Sequence, residues 1–282
     1  IPGMLPVGLA ILAGKPKLGK SWMALGFGLG IGHGGAVLGK VRVSQGTVLY
    51  LALEDRYQRL QGRVSGLAAD GALPERFLVC TDWPRAPKGL TLLDAWLSQM
   101  PDCRLVIVDT LAKFRRRAEK EIRSQYDEDY AAGEAIKVVA DKHNVCILMI
   151  AHLRKMSADD PFDCVSGTLG LTGAADTLLV LMRERSRADA TLHITGRDVD
   201  EQQLALKWDA QSVAWTLIGS AEEYRVSKER LEIQGALASI PKAWTPKEIA
   251  TVLGKSPNAI GTLLWKMSQE GQVRVVGYGQ YM

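Results

Sequence analysis

Short apolar runs alternate with longer segments of helical period over most of the chain. The runs are Gly8–Ala13, Val48–Leu53, Phe77–Cys80, Leu105–Val108, Val145–Ala151, Thr177–Met182 and Ala190–Thr195. They are apolar at successive positions, as strands buried on both faces of a parallel sheet require. Between them, Asp55–Gly66, Leu90–Met100 and Glu121–His143 are each long enough for a helix. This alternation predicts an α/β domain over residues 1–220 with a mostly parallel central sheet. The late segments Thr177–Met182, Ala190–Thr195, Leu204–Trp208 and Ser212–Leu217 follow one another through short turns and read as an antiparallel extension of that sheet.

The pattern changes at Ile218–Arg225, and a small second domain is expected over residues 225–282. Its helices are predicted at Val226–Ser239, Thr245–Leu253 and Asn258–Glu270, followed by a short strand at Val273–Val276. Gly254 permits a turn between the last two helices. Ile249, Ala250, Leu253, Ile260, Leu264 and Met267 supply apolar faces for them. This is a helix-turn-helix pattern with a short wing.

Charge sharpens that division. The chain of 282 residues carries 35 Lys and Arg against 31 Asp and Glu, a formal net charge of +4. Residues 225–282 hold eight of the basic residues and four of the acidic ones, which leaves 27 of each for residues 1–224. The whole surplus therefore sits in the second domain, a mild sign of a nucleic-acid-facing module. Hydrophobic residues make up 47% of the chain, yet no apolar run approaches the ~18 residues of a membrane span. The four cysteines (Cys80, Cys103, Cys146, Cys164) show no CxxC pair and no His at ligand spacing, which argues against a zinc site or a disulfide framework. No signal peptide opens the sequence, and its first residue is Ile rather than Met, so the amino terminus carries no weight. A reducing cytoplasm is the default expectation.

The strongest chemical signal is Gly14-Lys15-Pro16-Lys17-Leu18-Gly19-Lys20-Ser21, a full G-x-x-x-x-G-K-S between an apolar strand and a helical segment, with Trp22 next in line. Glycines let such a loop turn its backbone N–H groups toward phosphates, and the helix N-terminus adds positive potential. Lys20 would pair with the β- and γ-phosphates of ATP, and Ser21 would ligate Mg²⁺. Leu105-Val106-Ile107-Val108-Asp109 ends an apolar strand in a carboxylate, the Walker B arrangement, so Asp109 is the second metal residue. Thr110 follows it, so the base that activates water lies elsewhere. Glu54 would serve if its strand neighbours the P-loop strand, while Asp55 suits a helix cap. His152 ends the strand Val145–Ala151, where a polar group would sense the γ-phosphate; His33, His143 and His193 have no such setting. The segment Gly26-Phe27-Gly28-Leu29-Gly30-Ile31-Gly32 has glycine at every second position, each costing ~1 kcal/mol in a helix. Either that helix packs unusually close to its neighbours or it ends early.

The P-loop, the Glu ending the second strand, LVIVDTLAKF, the IAHLRK strand end, and SGTLGLTGAADTLLVL followed by HITGRDVDEQQLALKWD together resemble the RecA-like hexameric ATPases. The type is that of the plasmid RepA replicative helicases and their phage and prophage relatives, kin to DnaB- and KaiC-type ATPases. The resemblance covers residues 5–218. It implies a RecA-like core, Glu54 as catalytic base, His152 as γ-phosphate sensor, and a basic residue after a late strand acting as an arginine finger in the neighbouring subunit. Arg197 stands in that place, with Arg183 and Arg185 as rivals.

Two segments of the core are candidates for single-stranded DNA, since the resemblance places such loops at a central channel. One is Lys113-Phe114-Arg115-Arg116-Arg117, which could equally be a solvated loop; the other opens with Arg154 and Lys155 and runs to Gly173. Asp159, Asp160 and Asp163 make the second segment a switch or subunit contact first. In the second domain Ser256, Asn258 and Lys266 would face a major groove of duplex DNA, although winged helices also dock proteins. The expected protein is an ATP- and Mg²⁺-dependent DNA motor that assembles as a homo-oligomeric, hexameric ring. A DNA-binding regulator, a strand-exchange mediator and a small-molecule kinase are the other readings.

Overall fold

A computed structural model describes residues 1–67, 73–115, 125–153, 160–165, 169–183, 189–240 and 242–282. It divides into two compact units, Ile1–Gly219 and Ser220–Met282.

The first unit is built on strands β1 (Gly8–Gly14), β2 (Ala36–Val37), β3 (Val41–Arg42), β4 (Thr47–Ala52), β5 (Phe77–Cys80), β6 (Cys103–Asp109), β7 (Cys146–His152), β8 (Thr177–Met182), β9 (Asp189–Gly196), β10 (Gln202–Asp209) and β11 (Ala214–Ser220). Its helices are α1 (Lys20–His33), α2 (Tyr57–Leu67), α3 (Lys88–Leu97), α4 (Leu111–Phe114), α5 (Gln125–Lys142) and α6 (Leu169–Ala174). Apart from the small hairpin β2–β3, the strands form one sheet in the order β11-β10-β9-β8-β1-β7-β6-β4-β5. The strands β5, β4, β6, β7, β1 and β8 are parallel, and β9 and β10 run antiparallel. β1, β4 and most of β6 and β7 are buried at every position, and separate apolar cores cover the two faces of the sheet.

Two expectations change here. Thr177–Met182 is not part of the antiparallel extension: β8 pairs parallel with β1, because the chain between β7 and β8 holds α6 and is long enough for a crossover. The stretch read as a loop up to Gly173 is therefore partly helical. The glycine-rich segment runs as helix to His33, so it does not end early. A Cβ on Gly28 or Gly32 would meet Phe77 or Pro74, and one on Gly30 would meet Val37 and the Ala36 carbonyl. Close packing is what those glycines serve; around Gly26 there is open space.

The second unit consists of α7 (Ala221–Ser239), α8 (Pro246–Leu253), α9 (Pro257–Gln269) and the hairpin β12 (Val275–Gly277) with β13 (Gln280–Tyr281). Ile233, Ile249, Ile260, Leu264, Met267 and Trp244 form its core. α8 opens with a capping box between Thr245 and Glu248, and Gly254 ends it at φ 64°. The segment expected to separate the domains is instead β11 running into α7, which begins at Ala221.

Candidate active site

The strand ends that carry Gly14, Asp109 and His152 lie at one edge of the sheet, where the parallel strands finish. Strand register aligns Gly14 of β1 with His152 of β7, and Ala52 of β4 with Asp109 of β6. β4 does not neighbour the P-loop strand; β7 and β6 lie between them. Glu54 nevertheless joins the edge. Its Oε1 accepts a hydrogen bond of 2.8 Å from Thr110 Oγ1, and the Leu53 N–H donates to the Asp109 carbonyl at 2.7 Å.

The P-loop turns through two left-handed positions, Lys17 at φ 66° and Gly19 at φ 97°. Lys15, Pro16 and Lys17 are exposed, while Gly14 and Leu18 are buried. Lys20 is buried and folds back over the loop, donating to the carbonyls of Gly14 at 2.6 Å and Lys15 at 3.0 Å. Its Nζ lies 3.4 Å from His152 Nδ1. Burial lowers the Lys20 ammonium to about 8, and the Asp109 and Glu54 carboxylates hold it up against that effect.

Asp109 is buried, and burial raises its carboxyl above the ordinary range. Hydrogen bonds from Ser21 and Tyr50 counter that rise, while the nearby charges of Asp55 and Glu54 add to it. The Tyr50 hydroxyl donates to Asp109 Oδ2 at 2.8 Å and is itself pushed well above its usual range by burial and by that carboxylate. A Ser hydroxyl bonded to a buried carboxylate beside a helix N-terminus is a donor set that fits Mg²⁺. That ion takes one or two protein oxygens and completes its shell with waters and substrate phosphates.

Aromatic side chains back the P-loop. The Trp22 ring stands edge-on to Trp208 at 6.0 Å, and Trp208 to Trp215 at 5.2 Å. Trp215 donates its indole N–H to the Gly19 carbonyl at 3.1 Å, and the Arg183 guanidinium lies 5.4 Å from the centre of the same ring. Trp22 and Trp215 also line a cavity of about 450 Å³ along α1, with Gly26, Gly30 and Leu38.

A family model for the AAA domain matches residues 1–158, more than half of the chain. The chain belongs to the AAA domain family. It is an ATP-hydrolysing P-loop enzyme. No curated protein matches its sequence. Among solved structures, this AAA domain protein is similar in fold to a DnaB-like replicative helicase, solved for its interactions with primase. The TM-score is 0.60 at 14% identity, covering 76% of this chain and 58% of that chain. A second solved structure, an isolated ATPase domain, gives 0.59 at 13% identity over 75% of this chain and 85% of that one. The RadB recombinase gives 0.54 at 18% identity over 75% and 92%. The AAA domain thus carries a RecA-like fold.

Arg197 lies apart from these strand ends. Arg197 follows β9, whose last residue Gly196 pairs with Thr177 and so with the opposite, Ala10 end of the sheet. It is exposed, with its guanidinium 3.3 Å from the Gly173 carbonyl and 3.6 Å from Asp176. Lys113 is exposed on α4, and Arg115 follows it. Arg116, Arg117, Arg154, Lys155 and Arg185 lie outside the described residues. Ser256 precedes α9, and Asn258 and Lys266 are exposed upon it. Asp55 does not cap α2; its carboxylate pairs with Arg59 and Arg63.

Sequence reasoning missed Tyr50, Trp208, Trp215 and the part played by Thr110. Tyr50 is one apolar-strand residue among many until its hydroxyl is seen against Asp109. Trp208 and Trp215 come from late strands, far along the chain from the P-loop, and carry no motif.

Proposed function

We propose that this chain is the subunit of a RecA-type ATPase motor that acts on DNA as a ring, of the RepA helicase type, with a hexamer as the expected assembly. The observation that carries this is the meeting of Lys20, Ser21, Asp109, Glu54 and His152 at one sheet edge while Arg197 stands exposed at the other. Lys20 would hold the β- and γ-phosphates of ATP, and Ser21 and Asp109 would hold Mg²⁺, which neutralises charge developing on the phosphates. Glu54, oriented by Thr110, would take the proton of the attacking water. His152, in contact with Lys20, would report the γ-phosphate to the chain that follows β7. Arg197 lies too far along the sheet to serve the nucleotide of its own subunit, so a catalytic role for it requires a neighbour.

Single-stranded DNA would run past the segments that begin at Lys113 and Arg154. The second unit is read as a winged helix whose α9 and hairpin face duplex DNA. From residue 225 onward every acidic side chain is matched: Glu270 with Arg230, Glu248 with Lys242, and Glu229 and Glu232 with Lys255. Lys247, Lys266 and Arg274 have no acidic partner among the described residues, so part of the surplus charge falls on them.

The test is ATP turnover with and without single-stranded DNA, combined with mass measurement in solution. DNA-stimulated hydrolysis by a closed oligomer is expected; a monomer without stimulation would sink the ring reading. Open filaments would favour the second reading, a strand-exchange mediator, which the fold shared with RadB keeps in view.

A further inference from the structure

Directly behind the residue assigned as base stands a nearly buried acid gripped by two arginines. The Asp55 side chain is only 9% exposed. Arg59, in the first turn of α2, reaches its Oδ1 at 3.5 Å but is itself 65% exposed. Arg63, a turn further on, bonds its Oδ2 and is 22% exposed. The same Arg63 guanidinium lies over the ring of Trp22, 5.6 Å from its centroid. Trp22 immediately follows Ser21 in the first turn of α1. One side chain therefore ties the loop that bears Glu54 to the helix that begins at the P-loop.

Arginine suits this place physically. Its planar fork matches a carboxylate while its face stacks on an indole, a combination that an ammonium cannot reproduce. The loop also needs a cation, because Glu54, Asp55 and Asp109 converge at one edge and like charges there repel. With Arg63 matched to Asp55, Glu54 is held from two directions: by Thr110 on its side chain, and by the Asp55–Arg63–Trp22 chain through its backbone.

We propose that Arg63 is a positioning residue for ATP hydrolysis, fixing the 53–56 loop against Trp22 and so setting where Glu54 stands beside Thr110 at the sheet edge. The proposal rests on Glu54 being the base. Displacement of a catalytic group by ~1 Å can cost 10²-fold in rate without loss of binding.

The test compares native protein, R63A, R63K, D55N, E54Q and the R63A/E54Q double variant in single-turnover ATP hydrolysis, with ATP affinity read separately from tryptophan fluorescence. R63A is expected to lose about 10- to 100-fold in the rate of hydrolysis with ATP affinity within about twofold of native. R63K, which keeps the charge, is expected to recover part of that loss, and D55N to reproduce it. In the E54Q background R63A should remove nothing further. A native rate in R63A, a loss of affinity equal to the loss of rate, or a full additive loss in the double variant would each overturn the proposal. If R63A fails to fold, D55N and R63K read the same contact. Normal turnover by E54Q alone would overturn the base assignment and, with it, the action of Arg63 through that residue; a dead E54Q beside a normal R63A overturns the role of Arg63 alone.

Discussion

Thr110 donates its hydroxyl to Glu54 across the gap between two neighbouring strands, at 2.8 Å. The residue after Asp109 thereby orients the carboxylate that follows β4. Glu54→Gln should bind ATP normally and lose at least about 100-fold in turnover, within the range expected for a general base. Thr110→Val keeps the carboxylate and removes only its partner, so a smaller loss is expected, on the order of 10-fold in kcat with KM little changed. Steady-state kinetics on both variants checks the pair; normal turnover in E54Q would move the base elsewhere.

Arg197 predicts an effect that crosses subunits. Arg197→Ala mixed into native protein should lower turnover more steeply than its mole fraction, since each variant subunit would disable a neighbour. A linear decline with mixing ratio would return the finger role to Arg183 or Arg185.

Tyr50 is fully buried and gives its hydroxyl to a carboxylate that burial already disfavours. Tyr50→Phe leaves Asp109 with one donor fewer in a dry site. A destabilisation of about 1–3 kcal/mol is expected from thermal or urea unfolding. A variant as stable as native would mean that water replaces the hydroxyl.

The thiols should sort by burial. Cys103 and Cys146 are buried and pushed up to about 12, whereas Cys80 and Cys164 are partly exposed. Thiolate is the reactive form, so at about pH 8 an alkylating reagent should modify native Cys80 and Cys164 and spare the other two until unfolding. Mass mapping of the modified peptides reads the outcome directly.

In the second unit, Glu248 is lowered to about 2 by Lys242 and by its bonds from Thr245. An acid depressed on folding lends its stability above its ordinary value of 4.5 and withdraws it as pH falls toward 2, because the unfolded chain takes the proton first. Thr245→Ala, which removes the cap, should cost about 1 kcal/mol at neutral pH. It should also flatten the acid limb of the unfolding curve monitored on this unit.

Much of this molecule is legible along the chain because its signals are local. The P-loop is contiguous in sequence. β1, β4, β6 and β7 announce themselves by unbroken apolar runs, since strands covered on both faces have no polar side to show. α8 carries its start in the Thr245–Glu248 spacing and its stop in Gly254. By contrast, Gly28, Gly30 and Gly32 read as a threat to α1 until the approach of Phe77, Val37 and Pro74 gives each a reason.

By itself the sequence determined the P-loop and the apolar strands around it, and that two units with unequal charge follow one another. Tertiary structure decided which side chains meet. That β7 and β6 separate β1 from β4, that β8 lies parallel beside β1, and that Tyr50, Thr110, Arg63 and Trp22 surround the acids are all consequences of strand order and register. Strand order depends on how faces far apart in the chain bury one another, and no local pattern carries that information.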